Sequence, residues 1–321
     1  MKYVDMHCDT ATCIYEEKAS LRKNHFHNDL EKMKKGECLL QNFAIFTDIR
    51  KQDSVFTRNV IDYYYEQLEE NKDLIRPVYK FDDISKNEAQ GCMSALLTLE
   101  EGSVIDNDLS NLKSFYDLGV RMITLTWNYP NGIGYPNFSY EKDNYHALLH
   151  NINDKDGLTD FGIEYVRRME ELGMIVDVSH LSDKGFYDVL EYTSKPFVAS
   201  HSNARKIAPV ARNLSDDMII RLAQRGGVTG LNYCSKFIDD ENDKITMVEK
   251  MVEHIRYIAK VGGIDCIGLG SDFDGIGNEL EIKDASGMQI LYHELQKYFT
   301  EEEIEKIFYK NVLRVYQEIL S

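Results

Sequence analysis

His7 and Asp9 stand two positions apart at the end of the apolar-leaning stretch 3–10. Read as a strand, that stretch sends alternate side chains to opposite faces, which places the imidazole and the carboxylate on one side. Such a pair can chelate a first-row divalent ion, Zn2+ accepting both donors at about 2.0–2.2 Å. Four further groups of ligand type, Glu100, His180, His201 and Asp272, each lie at or near the end of another apolar run. Three imidazoles and three carboxylates are too many for one tetrahedral Zn2+ with an open position. They suit two ions that share a bridging carboxylate. Two ions about 3.5–4 Å apart hold one water between them and lower its pKa toward about 7. Against the charge of two Zn2+, Asp9, Glu100 and a hydroxide leave a small positive remainder, which an ionised Asp272 nearly neutralises. Asp272 is therefore expected to take a proton from the water and return it to the leaving group.

Those six groups need a scaffold that gathers strand ends. Apolar runs over 3–10, 39–47, 93–100, 120–127, 174–180, 196–201, 227–233 and 265–275 read as eight strands. Residues 10–38 are polar, with charges at helical spacing around Leu30, Met33 and Lys34. Helices are expected over 57–74, over 109–118 before Gly119, and from a Thr159 cap to Leu172 before Gly173. Ser182 caps the next, and Ser215 opens one closed by Gly226. Another spans about 243–261, and a Thr300 capping box starts the last, which runs to about 319. Candidate ligands end strands one, three, five, six and eight. A (β/α)8 TIM barrel of metal-dependent hydrolase type brings all of these ends to one mouth. An open doubly wound sheet would join only its switch-point strands and leave some of the six groups stranded. Neither a Gly-x-Gly-x-x-Gly strand turn nor a phosphate-loop lysine motif is present. The expectation is a single catalytic domain over 1–321.

Composition narrows the partners. With 37 Lys and Arg against 54 Asp and Glu the net charge is −17, which opposes nucleic acid and anionic lipid. No apolar run reaches membrane-spanning length, and the first strand begins at residue 3, too early for a secretory leader. A cytoplasmic setting is expected, with Cys8, Cys13, Cys38, Cys92, Cys234 and Cys266 as reduced thiols.

The segments His7-Cys8-Asp9, Leu99-Glu100-Glu101-Gly102, Asp177-Val178-Ser179-His180, Ser200-His201-Ser202-Asn203-Ala204-Arg205 and Gly270-Ser271-Asp272-Phe273-Asp274-Gly275 occur in an order that resembles the renal (membrane) dipeptidase family, peptidase family M19. The resemblance runs from residue 3 to Asn311-Val312-Leu313-Arg314-Val315. It implies a dizinc dipeptidase in which His7 and Asp9 hold one Zn2+, His180 and His201 the other, and Glu100 bridges them. Asp272 matches the acid that handles the catalytic proton, and Arg212 the arginine that clamps the substrate's terminal carboxylate. The resemblance also implies small dipeptide substrates, commonly with a D-residue on the C-terminal side, and a homodimer is carried as a further expectation.

This chain departs from the family pattern twice. Glu101 stands where a glycine often follows the bridging glutamate. Trp127 stands where the family carries a histidine that supports the oxyanion. An indole donates one N–H but cannot become a cation, so Trp127 is expected as core packing or as a wall of the substrate pocket. The turn-rich segment 128–137 after it is expected to cover substrate.

Plainer readings hold elsewhere. Asp5, Asp177 and Asp274 are expected to orient neighbours or cap turns. His25, His27, His146, His150, His254 and His293 are expected on the surface or in packing, and the acid run 239–243 as a solvated face. Arg205 and Arg225 compete with Arg212 for the clamp. Two rival functions remain: a dizinc barrel acting on another small amide, lactone or ester, although that wider amidohydrolase group typically opens with His-x-His, and a barrel that binds peptide without catalysis.

Overall fold

A computed structural model describes residues 1–138, 149–239, 241 and 244–320. Eleven strands are assigned among them: β1 Tyr3–Asp5, β2 Cys38–Phe46, β3 Ile75–Pro77, β4 Met93–Glu100, β5 Val120–Thr124, β6 Ile175–Asp177, β7 Val198–Ala199, β8 Val228–Leu231, β9 Ile245–Thr246, β10 Ile267–Leu269 and β11 Glu279–Leu280. Eight of these close into a parallel barrel in the order β2-β1-β10-β8-β7-β6-β5-β4, with β2 pairing β4 to complete the ring. This is the expected (β/α)8 barrel.

β3 lies outside the ring and pairs only with the start of β4, from Ile75 against Met93 to Pro77 against Ala95. β9 and β11 form a separate two-stranded ribbon. β3 and the helix Asp82–Ala89 were not expected.

β2 and β4 are apolar along nearly their whole length because each is covered on both faces, by the barrel interior and by the outer helices. Inward residues from seven of the ring strands, Val4, Leu40, Leu96, Met122, Ile175, Val198 and Val228, pack together. Val312, Val315, Tyr316 and Ile319 of the terminal helix Asn311–Ile319 plug the end of the barrel away from the candidate ligands. Tyr316 Oη accepts from Asn42 Nδ2 at 2.6 Å inside that plug. The terminal helix was expected to be continuous from its Thr300 capping box. The box is present, but a π-helical segment at Lys306–Lys310 interrupts the run.

Most expected strands are too long. The ladder stops at Asp5, Thr124, Asp177, Ala199 and Leu269, so His7, Asp9, Trp127, His180, His201 and Asp272 all lie two to four residues beyond it. Only Glu100 sits in the last residue of its strand. The apolar pattern continues past each ladder because the barrel mouth is itself buried, and burial rather than pairing sets that pattern. Freed from the ladder, His180 and Asp272 take φ of +70° and +63°, a region seldom used by residues with a Cβ. Asp9 ends as the residue preceding the helix Thr10–Glu17.

Candidate metal centre

The six groups meet at the mouth of the barrel. His7 Nε2 lies 3.5 Å from Asp9 Oδ2, 3.4 Å from Glu100 Oε2 and 3.9 Å from Asp272 Oδ1. On the other side, Glu100 Oε1 lies 3.0 Å from His180 Nε2 and 3.7 Å from His201 Nε2, and the two imidazole nitrogens are 3.0 Å apart. Each carboxylate oxygen of Glu100 thus faces a different set of donors. Two ligands on one tetrahedral Zn2+ stand about 3.3 Å apart, as bond lengths of about 2.0–2.1 Å require. The trios His7/Asp9/Glu100 and Glu100/His180/His201 both have spacings near that value.

Hydrogen bonds outside the centre fix the histidine tautomers. Asp177 Oδ2 accepts from Thr124 Oγ1 at 2.6 Å and from Ser200 Oγ at 2.5 Å, while its Oδ1 accepts the backbone N–H of Ser179 and of Ser200. Ser200 has one proton and gives it to Asp177, so the 2.7 Å contact between Ser200 Oγ and His201 Nδ1 is donated by the imidazole. His201 Nε2 is left with its lone pair pointing into the centre. His180 Nδ1 likewise donates to Asn128 Oδ1 at 2.7 Å.

Burial and the charge of Arg212 hold His180 down to about 4, and burial with the charge of His7 holds His201 well below its ordinary range. Two neutral imidazoles therefore aim lone pairs at each other and at a carboxylate oxygen across about 3 Å. That arrangement repels itself until a cation sits among the donors. Both nitrogens of His7 and Oδ1 of Asp9 are also buried without a hydrogen-bond partner. Burial opposes charge on His7, yet Glu100 and Asp9 outweigh it and raise its pKa well above the ordinary value. The residues present fit a pair of divalent cations.

Asp177 also lies within reach of His7 and His201. Its oxygens are already saturated by four donors, so it orients His201 through Ser200 and does not join the cluster. Asp5 is used up similarly by Ser271, and Asp274 by Thr10 Oγ1 and the backbone of His27. These three carboxylates play the structural parts expected of them.

A cavity of about 540 Å³ opens above the centre, lined on one side by Phe46 and Trp127 and on another by Lys236 and Phe237. Trp127 is half-buried, its ring 4.8 Å from that of Phe46. Gly275 closes the floor, where a Cβ would collide with the carboxylates of Asp9 and Asp272.

Arg212 is buried behind the cavity-lining Phe237. Its guanidinium lies 5.3 Å from the Phe237 ring; among the described residues it makes only long hydrogen bonds, to Ser202 Oγ at 3.3 Å and the His201 carbonyl at 3.4 Å, and its Nε has no partner. Arg205, by contrast, forms a two-point pair with Asp183, and Arg225 binds the carbonyls of Thr193 and Leu190. Both rival arginines are committed to the fold.

Asn128 and Asn232 carry no local signal in the sequence; they are neutral amides that orient His180 and, at 2.9 Å, Asp272. His254 was read no further than surface or packing. It is fully buried: Nδ1 accepts the Ala204 N–H at 3.1 Å and Nε2 donates to the Ile238 carbonyl at 2.9 Å, pinning the start of the segment that carries Arg212. Burial lowers its pKa to about 4, whereas an unfolded imidazole titrates near 6.5. Between those values only the unfolded chain takes the proton, so this contribution is complete above about pH 6.5 and is lost as pH falls toward 4. His254→Gln is expected to remove up to roughly 3 kcal/mol of acid-side slope, read as the difference between the two proteins' urea midpoints across pH 4–7. Identical slopes would contradict it.

Of the other histidines, His25, His150 and His293 are exposed and His27 packs on Asp274, while His146 lies outside the described residues. So do Asp240, Asn242 and Asp243 of the acid run.

A parallel barrel with three imidazoles and three carboxylates at its mouth defines a metal-dependent hydrolase. Comparison with known proteins narrows the class: the membrane dipeptidase family, peptidase family M19, matches residues 1–321, and the chain belongs to that family. It is 32% identical over 308 residues to an uncharacterized dipeptidase of Schizosaccharomyces pombe, covering 91% of this chain and 72% of the relative. It is 29% identical over 306 residues to the dipeptidase tcpJ of Claviceps purpurea, covering 91% and 69%. Among solved structures, dipeptidase AC, a family M19 metallopeptidase, superposes with a TM-score of 0.90 at 23% identity, covering 100% of this chain and 99% of that one. A metallopeptidase from Rhodobacter sphaeroides, solved with a phosphinate mimic of the dipeptide L-Ala-D-Ala, gives 0.89 at 22% identity, with 99% of each chain covered. No helix among the described residues is long and apolar enough to cross a membrane.

Proposed function

We propose that residues 1–321 act as one catalytic domain, a dizinc dipeptidase that accepts a D-residue on the C-terminal side of the scissile bond. The observation that carries this reading is the divided Glu100 carboxylate, with Oε2 toward His7 and Asp9 and Oε1 toward His180 and His201. His7 and Asp9 would hold one Zn2+ and His180 and His201 the other, with Glu100 shared between them. When bound, the pair supplies Lewis acidity and brings the pKa of a water toward neutrality.

The protein's own groups do the rest. Arg212, a buried cation with no carboxylate in ion-pair range among the described residues, receives the substrate's terminal carboxylate in a planar two-point contact. Asp272, held by Asn232, takes the proton from the attacking water and passes it to the leaving amine. In the absence of metal, burial raises its pKa to about 6, against the pull of His7. Trp127 and Phe46 form an apolar wall for a substrate side chain. A cavity of this volume suits a dipeptide and excludes a folded chain. The acceptance of a D-residue is supported by the L-Ala-D-Ala mimic in the Rhodobacter sphaeroides relative. Six unpaired cysteines suit a cytoplasmic setting.

Metal analysis combined with a panel of L,L and L,D dipeptides, esters and lactones tests the reading. The expected result is two Zn2+ per chain with turnover confined to the dipeptides and L,D members accepted. Metal-free protein, or turnover confined to esters and lactones, would overturn it.

A further inference from the structure

Glu101 follows the divided carboxylate directly, and its backbone is in an unusual state. It is fully buried at φ +92° and ψ +89°, a conformation that glycine adopts without strain and a residue with a Cβ rarely does. The next position is tight, because a Cβ at Gly102 would lie 2.8 Å from Ile133 Cδ1 and 3.1 Å from Tyr165 Oη and those side chains would have to shift. The chain thus carries a charged side chain at the one of these two positions where space, though not backbone geometry, permits it.

That carboxylate is fully engaged. Oε1 accepts from Ser103 N at 3.1 Å, Ser103 Oγ at 2.5 Å and Asn131 Nδ2 at 2.5 Å, and Oε2 accepts the backbone N–H of Trp127 at 3.1 Å. Asn131 braces its own turn, donating to the Leu125 carbonyl at 3.0 Å and accepting the N–H of Ile133 at 2.8 Å and of Gly134 at 3.0 Å. Between these two anchor points lie Trp127, whose ring lines the cavity, and Asn128, whose amide oxygen takes the His180 proton.

We propose that Glu101 is a positioning residue that ties the turn 125–134 to the end of β4, setting at once the Trp127 wall and the Asn128 contact that aims His180 at the metal centre. The two departures from the family pattern, Glu101 for glycine and Trp127 for histidine, are on this account one device: the carboxylate holds the indole-bearing backbone in place. The catalytic consequence rests on the dipeptidase reading above, but the tie itself does not.

The chemistry of the carboxylate selects the variant. In Glu101→Gln the amide oxygen serves best at Oε1, where three donors converge, which turns the NH2 group toward the Trp127 N–H and breaks that bond alone. Asn131→Ala removes the other contact of Glu101 with the turn, together with the bonds of Asn131 to Leu125, Ile133 and Gly134, without touching the strained backbone. Trp127 is the chain's single tryptophan, so its emission reports the wall with no substrate present.

For both variants we expect a red-shifted emission maximum, increased quenching by acrylamide, and weaker retention of the second Zn2+ under chelator. With dipeptides, the loss in Glu101→Gln of one hydrogen bond to a charged group is expected to raise KM about tenfold. Folding is checked by far-UV circular dichroism, and a variant that fails to fold leaves the other to decide. Two folded variants, or the one that folds, with unchanged emission, quenching and Zn2+ retention would overturn the proposal. Fluorescence and metal retention need no turnover, so a protein inactive on every dipeptide would refute the activity and leave this tie to be judged by its own readouts.

Discussion

Glu100→Gln is expected to lower dipeptide turnover by about 10³-fold or more, the loss of about 4 kcal/mol of transition-state stabilisation. The substitution preserves the volume and shape of a buried side chain, so the barrel persists. It replaces one carboxylate oxygen by an NH2 group, which cannot bind a cation, and removes a negative charge that both halves of the centre share. Because Oε1 and Oε2 face different partners, the amide serves only one half. Bound Zn2+ should fall from two per chain toward one, measured by elemental analysis after gel filtration beside kcat on the same sample. A variant that keeps both metals and full turnover would remove the basis of the proposed activity.

Arg212→Met is expected to divide stability from function. As it stands, the guanidinium is desolvated, with two long hydrogen bonds and no counter-charge in contact among the described residues. Burial pushes its pKa down, against the charges of Asp272, Glu100 and Asp177. An apolar side chain of similar length removes that burial cost, so the unfolding midpoint should hold or rise. The kcat/KM for dipeptides should nevertheless fall by about 10²–10³-fold, the scale of losing 2–5 kcal/mol from a buried charge-assisted contact. Dipeptide amides, which lack the terminal carboxylate, should be poor substrates for the parent protein and lose little further in the variant. An equal proportional loss on acids and amides would show that Arg212 does not read the carboxylate.

The barrel was legible in the sequence because its strands are covered on both faces, and their apolar runs stand out from the polar connections. The run over 93–100 was bounded correctly to the residue, since pairing and burial both extend over the whole of β4. Elsewhere burial outlasts pairing, so the strands before His180, His201 and Asp272 were drawn too long, and the same-face argument for His7 and Asp9 reached the right neighbours on a backbone that has already left the ladder. β3 and the helix Asp82–Ala89 are too short to carry a pattern. Asn128, Asn232 and the Asp177–Ser200–His201 chain act across loops distant in sequence, and no local spacing announces a contact of that kind. The doubled acid at Glu100-Glu101 was visible as a departure, but its partners became apparent only in three dimensions.

The ring is sealed between Asp5 of β1 and Leu269 of β10, and Asp272 follows that seam. His7 and Asp9 are therefore synthesised long before the strand that supplies their neighbour across the seam. Until then β1 has a bare edge on that side, and the early donors have no enclosed pocket in which to keep an ion. The pocket around His7 and Asp9 is therefore enclosed only once β10 has paired with β1, so the closing of the ring is what completes that half of the candidate centre.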